Sequence, residues 1–103
     1  MQASIVNESG KLVLRVAGNF SFDDNKEWRT LAEGMLKENA ICHVLDITRL
    51  ETVDSAGLGM MLTMKQWAED RGRHLQLRYD NSTMIGGMIR LAKFDTMFEI
   101  DMG

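Results

Sequence analysis

The amino-acid sequence predicts an α/β domain with a mixed, mostly parallel sheet and an N-terminal β-hairpin, in the order β-β-α-β-α-β-α-β. Short apolar or alternating segments, which are typical of strands, alternate with longer segments of helical periodicity. A length of 103 residues is typical of one domain. With 45% hydrophobic and 26% charged residues, the composition is that of a globular protein. We therefore expect a single domain over residues 1–103.

The chain opens with two predicted strands, residues 3–6 and residues 11–17, which a tight turn joins into a hairpin. Apolar residues alternate along the second segment, as in a strand with one buried face. Gly18 and Asn19 are expected to end this strand. The hairpin accounts for the antiparallel part of the predicted sheet.

A first helix is predicted after Asp24, because Asp24 and Glu27 have the spacing of a capping box. Its inner face is built from apolar residues at helical spacing, namely Trp28, Leu31, Ala32, Met35 and Leu36. The following segment, residues 41–47, is short and mostly apolar, as expected for a strand that is buried on both sides. We expect it to be the central strand of the sheet.

A second helix is predicted over residues 57–70, and Gly72 is expected to end it. The predicted inner stripe consists of Gly57, Met60, Met61, Met64, Trp67 and Ala68. The methionines are interpreted as core residues because of this spacing. Residues 74–79 alternate as in a strand, which is placed beside the central strand.

The C-terminal part predicts a third, shorter helix and a last strand. Ser82 and Thr83 are residues that commonly cap a helix N-terminus. Apolar residues then recur at helical spacing, at Ile85, Met88, Ile89 and Ala92. The last predicted strand covers residues 97–100. The sequence contains no repeats, linkers or low-complexity segments.

Charge and cysteine content exclude several classes of function. The formal net charge is −3 without a basic cluster, so nucleic acid is not an expected partner. No apolar run approaches the roughly 18 residues that span a bilayer, and no signal-peptide pattern is present, so we expect no membrane insertion and a cytoplasmic location. Cys42 is the only cysteine, which excludes an internal disulfide. The histidines and carboxylates match no metal-ligand spacing, so no metal or other cofactor is predicted.

Enzyme motifs are also missing. Gly57 and Gly59 form a G-x-G, but Leu62 stands where a dinucleotide-binding motif requires glycine, and the sequence has no P-loop. A serine hydrolase turn would require glycine where Val53 stands. His43 and His74 lie in predicted strands and are interpreted as structural or surface residues. We therefore expect a non-enzymatic protein without catalytic residues.

The turn between the central strand and the second helix is the candidate site. In open α/β sheets, sites form beyond the carboxyl ends of the strands. Ser55 is expected at the N-cap or in the first turn of the helix, where free backbone N–H groups and the helix dipole favour a phosphate. These features are equally typical of a serine that is only a helix cap, and on physical grounds alone the cap is the preferred interpretation.

The segment Val44-Leu45-Asp46-Ile47 and the motif Val53-Asp54-Ser55-Ala56-Gly57-Leu58-Gly59 resemble the signature region of the STAS domain, which occurs in bacterial anti-sigma factor antagonists. The order and lengths of the predicted elements are similar over nearly the whole chain. Only the central motif is specific. The resemblance implies a STAS domain over residues 1–103, in which Ala56 occupies a position that varies within the family.

The resemblance implies that Ser55 is phosphorylated and that residues 54–59 bind the partner: Asp54, Ser55, Ala56, Gly57, Leu58 and Gly59. The implied partners are a serine kinase of the GHKL type, which also acts as the anti-sigma factor, or a regulator that carries such a module, and a PP2C-type phosphatase. For Gly57 and Gly59, access of the kinase and packing of the helix on the sheet are equally good explanations. The oligomeric state is not indicated.

Two alternatives to the phosphorylation switch remain at this point. A constitutive STAS scaffold subunit of a transporter or of a sensory complex would keep the fold without the switch. Binding of a nucleotide at the same turn is the second alternative, although the sequence has no phosphate-binding motif.

Overall fold

The computed structural model describes residues 1–101. The strands are β1 (Gln2–Glu8), β2 (Lys11–Phe20), β3 (Cys42–Val53), β4 (Leu75–Arg78) and β5 (Glu99–Ile100). The helices are α1 (Asn25–Lys37), α2 (Ser55–Asp70), α3 (Met84–Leu91) and α4 (Phe94–Met97), and a 3-10 turn covers Phe22–Asp24. The predicted α/β class and element order are confirmed, with α4 as an additional short helix.

The five strands form one sheet in the order β1-β2-β3-β4-β5. β1 and β2 pair antiparallel as the predicted hairpin, and β2, β3, β4 and β5 are parallel. Ser9 and Gly10 have positive φ angles of 53° and 95°, which form the tight turn between β1 and β2. β3 is therefore the central strand, and β4 is its neighbour, as predicted.

The helices build the main core on one face of the sheet. Leu14, Leu45 and Leu77 of three adjacent strands belong to the same buried cluster as the inner residues of all four helices. The opposite face carries a small buried cluster of Val13, Cys42 and Val44. Because the helices share one side, the other side of the sheet is covered by side chains of the strands themselves.

Three strands are longer than predicted, and the first of them, β1, covers Gln2–Glu8 instead of residues 3–6. β2 continues through Gly18 to Phe20, and β3 continues to Val53, six residues beyond the predicted end. The register of these two strands shifts twice, and Gly18 has a φ of 82° beside one of the shifts. Glycine therefore permits a bulge here instead of ending the strand. The pairing of β3 with β4 ends at Asp46. The part of β3 after Asp46, which is more polar, therefore pairs only with β2.

Helix ends and the C-terminal segment differ in detail from the predictions. The Asp24 carboxylate accepts a hydrogen bond from the Ser21 N–H at 3.0 Å, so it closes the 3-10 turn before α1 and makes no capping bond within α1. α2 ends beside Gly72, whose φ is 67°, and the Thr83 hydroxyl caps α3 by accepting from the Gly86 N–H, as expected. Residues 94–97 form α4 because Phe94 and Phe98 pack together, with ring centroids 5.5 Å apart.

Candidate functional site

The candidate site lies where β3 ends and α2 begins. The Asp54 N–H donates a hydrogen bond to the Phe20 carbonyl at 3.3 Å, which ties the start of α2 to the end of the neighbouring strand β2. Because β2 and β3 are parallel, their carboxyl ends lie at the same edge of the sheet. This is the edge at which open α/β sheets form binding sites.

Asp54 is the N-cap of α2. Its φ and ψ angles of −94° and 176° are extended, and its Oδ1 accepts a hydrogen bond from the Gly57 N–H at 2.7 Å. The first helical hydrogen bond runs from the Leu58 N–H to the Asp54 carbonyl at 3.1 Å. Asp54 therefore supplies both the cap and an anionic charge at the positive end of the helix dipole.

Ser55 is the first residue within α2, and its side chain is exposed. Within residues 1–101, its hydroxyl forms no hydrogen bond. The sequence left the choice between an N-cap and a first-turn position open, and the structure places Ser55 in the first turn. The capping function that would explain this serine on structural grounds belongs to Asp54.

Gly57 and Gly59 differ in their surroundings. A Cβ atom at Gly57 would lie 2.8 Å from Val53 Cγ2 and 3.1 Å from the Phe20 carbonyl oxygen, so close packing on the strands requires glycine there. A Cβ atom at Gly59 would meet nothing within 4 Å, and this residue is exposed. Close packing therefore explains why residue 57 is a glycine. It does not explain the glycine at residue 59, which lies in the interior of the helix.

The remaining side chains of the motif anchor α2. Ala56 and Leu58 are half-buried, and Leu58 packs against the main core. Met60, Met61 and Met64 are buried, which confirms their interpretation as core residues. The accessible part of the motif thus consists chiefly of Asp54, Ser55 and Gly59.

Phe22 is an exposed aromatic residue in the 3-10 turn after β2, and no sequence pattern marked it as a site residue. Its side chain is 64% exposed, and it follows Phe20, the residue that binds the Asp54 N–H, by two positions. The signal in the sequence was an aromatic residue in a predicted loop, which alone does not reveal that the loop lies beside the start of α2. The exposed polar groups of the site are the Asp54 carboxylate and the Ser55 hydroxyl, and Phe22 is an exposed ring two residues after the strand end that binds Asp54.

One histidine is buried in the fold and the other lies at the surface. His43 is buried, and its Nε2 lies 3.0 Å from the Met35 carbonyl and 2.9 Å from the Glu38 carbonyl. Because both neighbours are acceptors, Nε2 carries the proton and donates to the C-terminal end of α1. His74 is exposed beside Glu99 at 3.4 Å. Among residues 1–101, no group of three or more His, Cys, Asp or Glu side chains could hold a metal ion.

Two surface hollows lie away from the start of α2. The larger, about 540 Å³, is lined by residues of β1, β2 and β3 that include Gln2, Asn19 and Arg49. The smaller, about 280 Å³, lies near the C-terminal end of α2 and includes Lys65 and His74. None of residues 54–59 lines either hollow. Across the described chain, no helix has the length and apolarity to cross a bilayer.

A cluster of charged side chains covers the helix-free face of the sheet. The Arg78 guanidinium donates to both carboxylate oxygens of Glu8, at 3.0 and 3.1 Å, and to Asp101 at 2.7 Å. The hydrogen bonds to Glu8, and to a lesser extent those to Asp101, raise the pKa of Arg78 above its ordinary value. The hydrogen bonds from Arg78 in turn lower the pKa of Glu8. Burial raises the pKa of the Cys42 thiol beneath this cluster.

A protein-family model described as "Mlab, STAS domain" matches residues 4–99, nearly the whole chain. The chain belongs to the STAS domain family. A search of the curated proteins finds no sequence match to this STAS domain.

Solved structures of anti-sigma factor antagonists share the fold of this STAS domain. An antagonist from Mycobacterium paratuberculosis superposes with a TM-score of 0.82 at 14% identity, covering 99% of this chain and 86% of that one. Unphosphorylated SpoIIAA gives 0.72 at 15% identity, covering 99% and 89%. Phosphorylated SpoIIAA, a Bacillus cell fate determinant, gives 0.70 at 14% identity, covering 97% and 91%. At these identities the likeness establishes the fold of the STAS domain.

Proposed function

We propose that this STAS domain is an anti-sigma factor antagonist, a non-enzymatic protein whose binding to its partner is switched by phosphorylation of Ser55. The observation that carries the proposal is the division of roles between neighbours: Asp54 caps α2, and the adjacent Ser55 presents an exposed hydroxyl that forms no hydrogen bond within the described residues. A serine that is not needed as a cap is free to be modified. SpoIIAA, which shares the fold, has been solved in unphosphorylated and phosphorylated forms.

The proposed docking surface consists of Phe22, Asp54, Ser55 and Gly59, supported from below by Ala56, Gly57 and Leu58. An exposed aromatic ring supplies apolar contact area, and the small side chains around the hydroxyl allow a kinase to approach closely. The proposed partner is a serine kinase of the GHKL type that also serves as the anti-sigma factor. A PP2C-type phosphatase would restore the free hydroxyl.

Phosphorylation would act through local charge. A phosphate adds a charge of about −1.5 to −2 beside the Asp54 carboxylate. In the free protein this charge stays solvated at the exposed N-terminus of α2, where the helix dipole offsets part of the repulsion. In a docked complex the same charge would be desolvated next to another anion, so it opposes binding without unfolding the domain.

The test uses the cognate kinase with ATP, and mass spectrometry to locate the phosphate. We expect one phosphate on Ser55 and none in Ser55→Ala. Binding of the partner is then measured for Ser55→Asp and for the control Leu91→Asp, which adds the same charge to an exposed position of α3 outside the docking surface. We expect only Ser55→Asp to weaken binding. Phosphate at another residue that persists in Ser55→Ala would overturn the proposal.

A constitutive scaffold subunit of a transporter or sensory complex is the second candidate. The matching family model is described as "Mlab, STAS domain", a description that is compatible with both candidates. A scaffold would bind its partner equally well as the wild type, Ser55→Ala and Ser55→Asp. Equal affinities of the three proteins, measured by calorimetry, would therefore favour the scaffold over the switch.

A further inference from the structure

The two edges of the sheet are unequal. β5 contributes an edge of only two residues, Glu99–Ile100, whereas β1 contributes one of seven, Gln2–Glu8. Within residues 1–101, no backbone group of another element bonds to the outer side of β1. The outward N–H and C=O groups of β1 are therefore available to a further strand.

β1 lacks the features that usually prevent edge pairing. Its sequence, QASIVNE, contains no lysine, arginine or proline, and its register with β2 runs through seven consecutive pairs without a bulge. Its single charged side chain, Glu8, is held over the sheet by Arg15 and Arg78. The centre of the strand is uncharged, and Ile5 is 38% exposed there.

We propose that β1 pairs antiparallel with β1 of a second copy of this chain, so that two five-stranded sheets join across a two-fold axis at Ile5. In this arrangement Ile5 lies opposite Ile5, and Gln2 lies opposite Glu8, so no like charges meet. A parallel, in-register pair would instead place Glu8 beside Glu8. The order of side chains along β1 is therefore complementary to itself in the antiparallel direction. For this reason we infer that the partner strand is β1 of a second copy.

The dimer would leave the proposed docking surface accessible. β2 separates β1 from β3, and the start of α2 follows β3. The pairing buries the exposed part of Ile5 and satisfies the outward backbone groups of one strand. Because a single strand pair buries less area than a standard interface, we expect a dissociable dimer whose population rises with protein concentration.

Site-directed disulfide formation tests the register. At the two-fold axis, opposite Cα atoms lie about 4.5–5.5 Å apart, within the range of a disulfide. Ile5→Cys is therefore expected to form an intermolecular disulfide under mild oxidation, while the native Cys42 is buried. Gln2→Cys is the matched control on the same strand, because its two copies would lie about 20 Å apart. Equal cross-linking of both variants, or none, would overturn the proposed register.

Sedimentation velocity over a range from micromolar to near-millimolar protein tests the dimer itself. We expect Ile5→Lys to weaken dimerisation about tenfold or more, because two ammonium groups would meet at the axis. The control Leu91→Lys changes an apolar residue that is 86% exposed on α3, and it should dimerise as the wild type does. A wild-type protein that is monomeric at every concentration would overturn the proposal.

Amide hydrogen exchange of the unmodified chain provides a measurement that does not depend on a variant. We expect the exchange of outward amides in β1 to slow with rising concentration, while that of amides in α3 stays constant. Concentration-dependent protection confined to α3 would place the contact elsewhere and overturn the proposal.

Discussion

At the scale of single residues, Asp54 and Ser55 have separate roles. Asp54→Ala removes the side-chain acceptor of the Gly57 N–H, so we expect it to lower the free energy of unfolding by about 1 kcal/mol. Ser55→Ala removes a hydroxyl that forms no hydrogen bond in the described part of the chain, and its free energy of unfolding is expected to stay within about 0.5 kcal/mol of the wild type. Urea denaturation measures both values. A larger loss for Ser55→Ala would show that the serine is part of the cap.

The two glycines of the motif give a second residue-scale prediction. Gly59→Ala should raise the free energy of unfolding by about 0.5–1 kcal/mol, because alanine is favoured in an exposed helix and open space surrounds the site. Gly57→Ala should lower it by about 1–3 kcal/mol, because the new methyl group would press on Phe20 and Val53. Thermal and urea denaturation of the pair test this. If Gly59→Ala is more stable and binds the partner less tightly, Gly59 serves docking.

The sequence indicated the position of Ser55 near a helix start but not the division of roles. Asp54 and Ser55 are both common cap residues, and only the backbone angles and the bond to the Gly57 N–H show which of them is the cap. Phe22 could not be assigned to the site because its position depends on the pairing of β2 with the end of β3. Long-range pairing is not readable from local periodicity.

At the scale of secondary-structure elements, local sequence patterns predicted the buried segments well. They predicted less well the exposed residues by which a strand extends beyond its buried segment. β3 was predicted to end at residue 47, since Arg49, Glu51 and Thr52 are polar. The strand continues because Arg49 and Thr52 pair with β2 while their side chains are exposed, and Glu51 lies at a register shift between them. Likewise, Met97 was predicted to begin the last strand, but it ends α4, because Phe94 packs on Phe98 and the core.

Arg78 gives a prediction at this scale because it joins β1, β3, β4 and the segment after β5. Arg78→Met would leave Asp46 and Asp101, both largely buried, without their main cation. We expect the free energy of unfolding to fall by about 2–3 kcal/mol. The control Arg49→Met removes an exposed guanidinium that forms no ion pair within residues 1–101, and it should change the free energy of unfolding by less than about 0.5 kcal/mol. Similar losses for both variants would contradict this role of Arg78.

At the scale of the whole molecule, one face of the sheet is stabilised by helix packing and the other by a charged cluster over Val13, Cys42 and Val44. Such a cluster makes stability depend on pH. The hydrogen bonds from Arg78 hold the pKa of Glu8 below its ordinary value of 4.5. In the unfolded chain Glu8 regains that value, so the unfolded state binds more protons in the window just below pH 4.5.

The contribution of Glu8 should therefore be complete above pH 4.5 and decline as the pH falls through its lowered folded-state pKa. Glu8→Gln should be less stable than the wild type at about pH 7, and the difference should shrink towards about pH 3. Glu51→Gln is the control, because Glu51 is exposed and forms no ion pair within residues 1–101. Urea denaturation at a fixed, low protein concentration measures the three proteins across this range. A difference between Glu8→Gln and the wild type that stays constant with pH would show that the carboxylate stabilises the fold by packing and not by its charge.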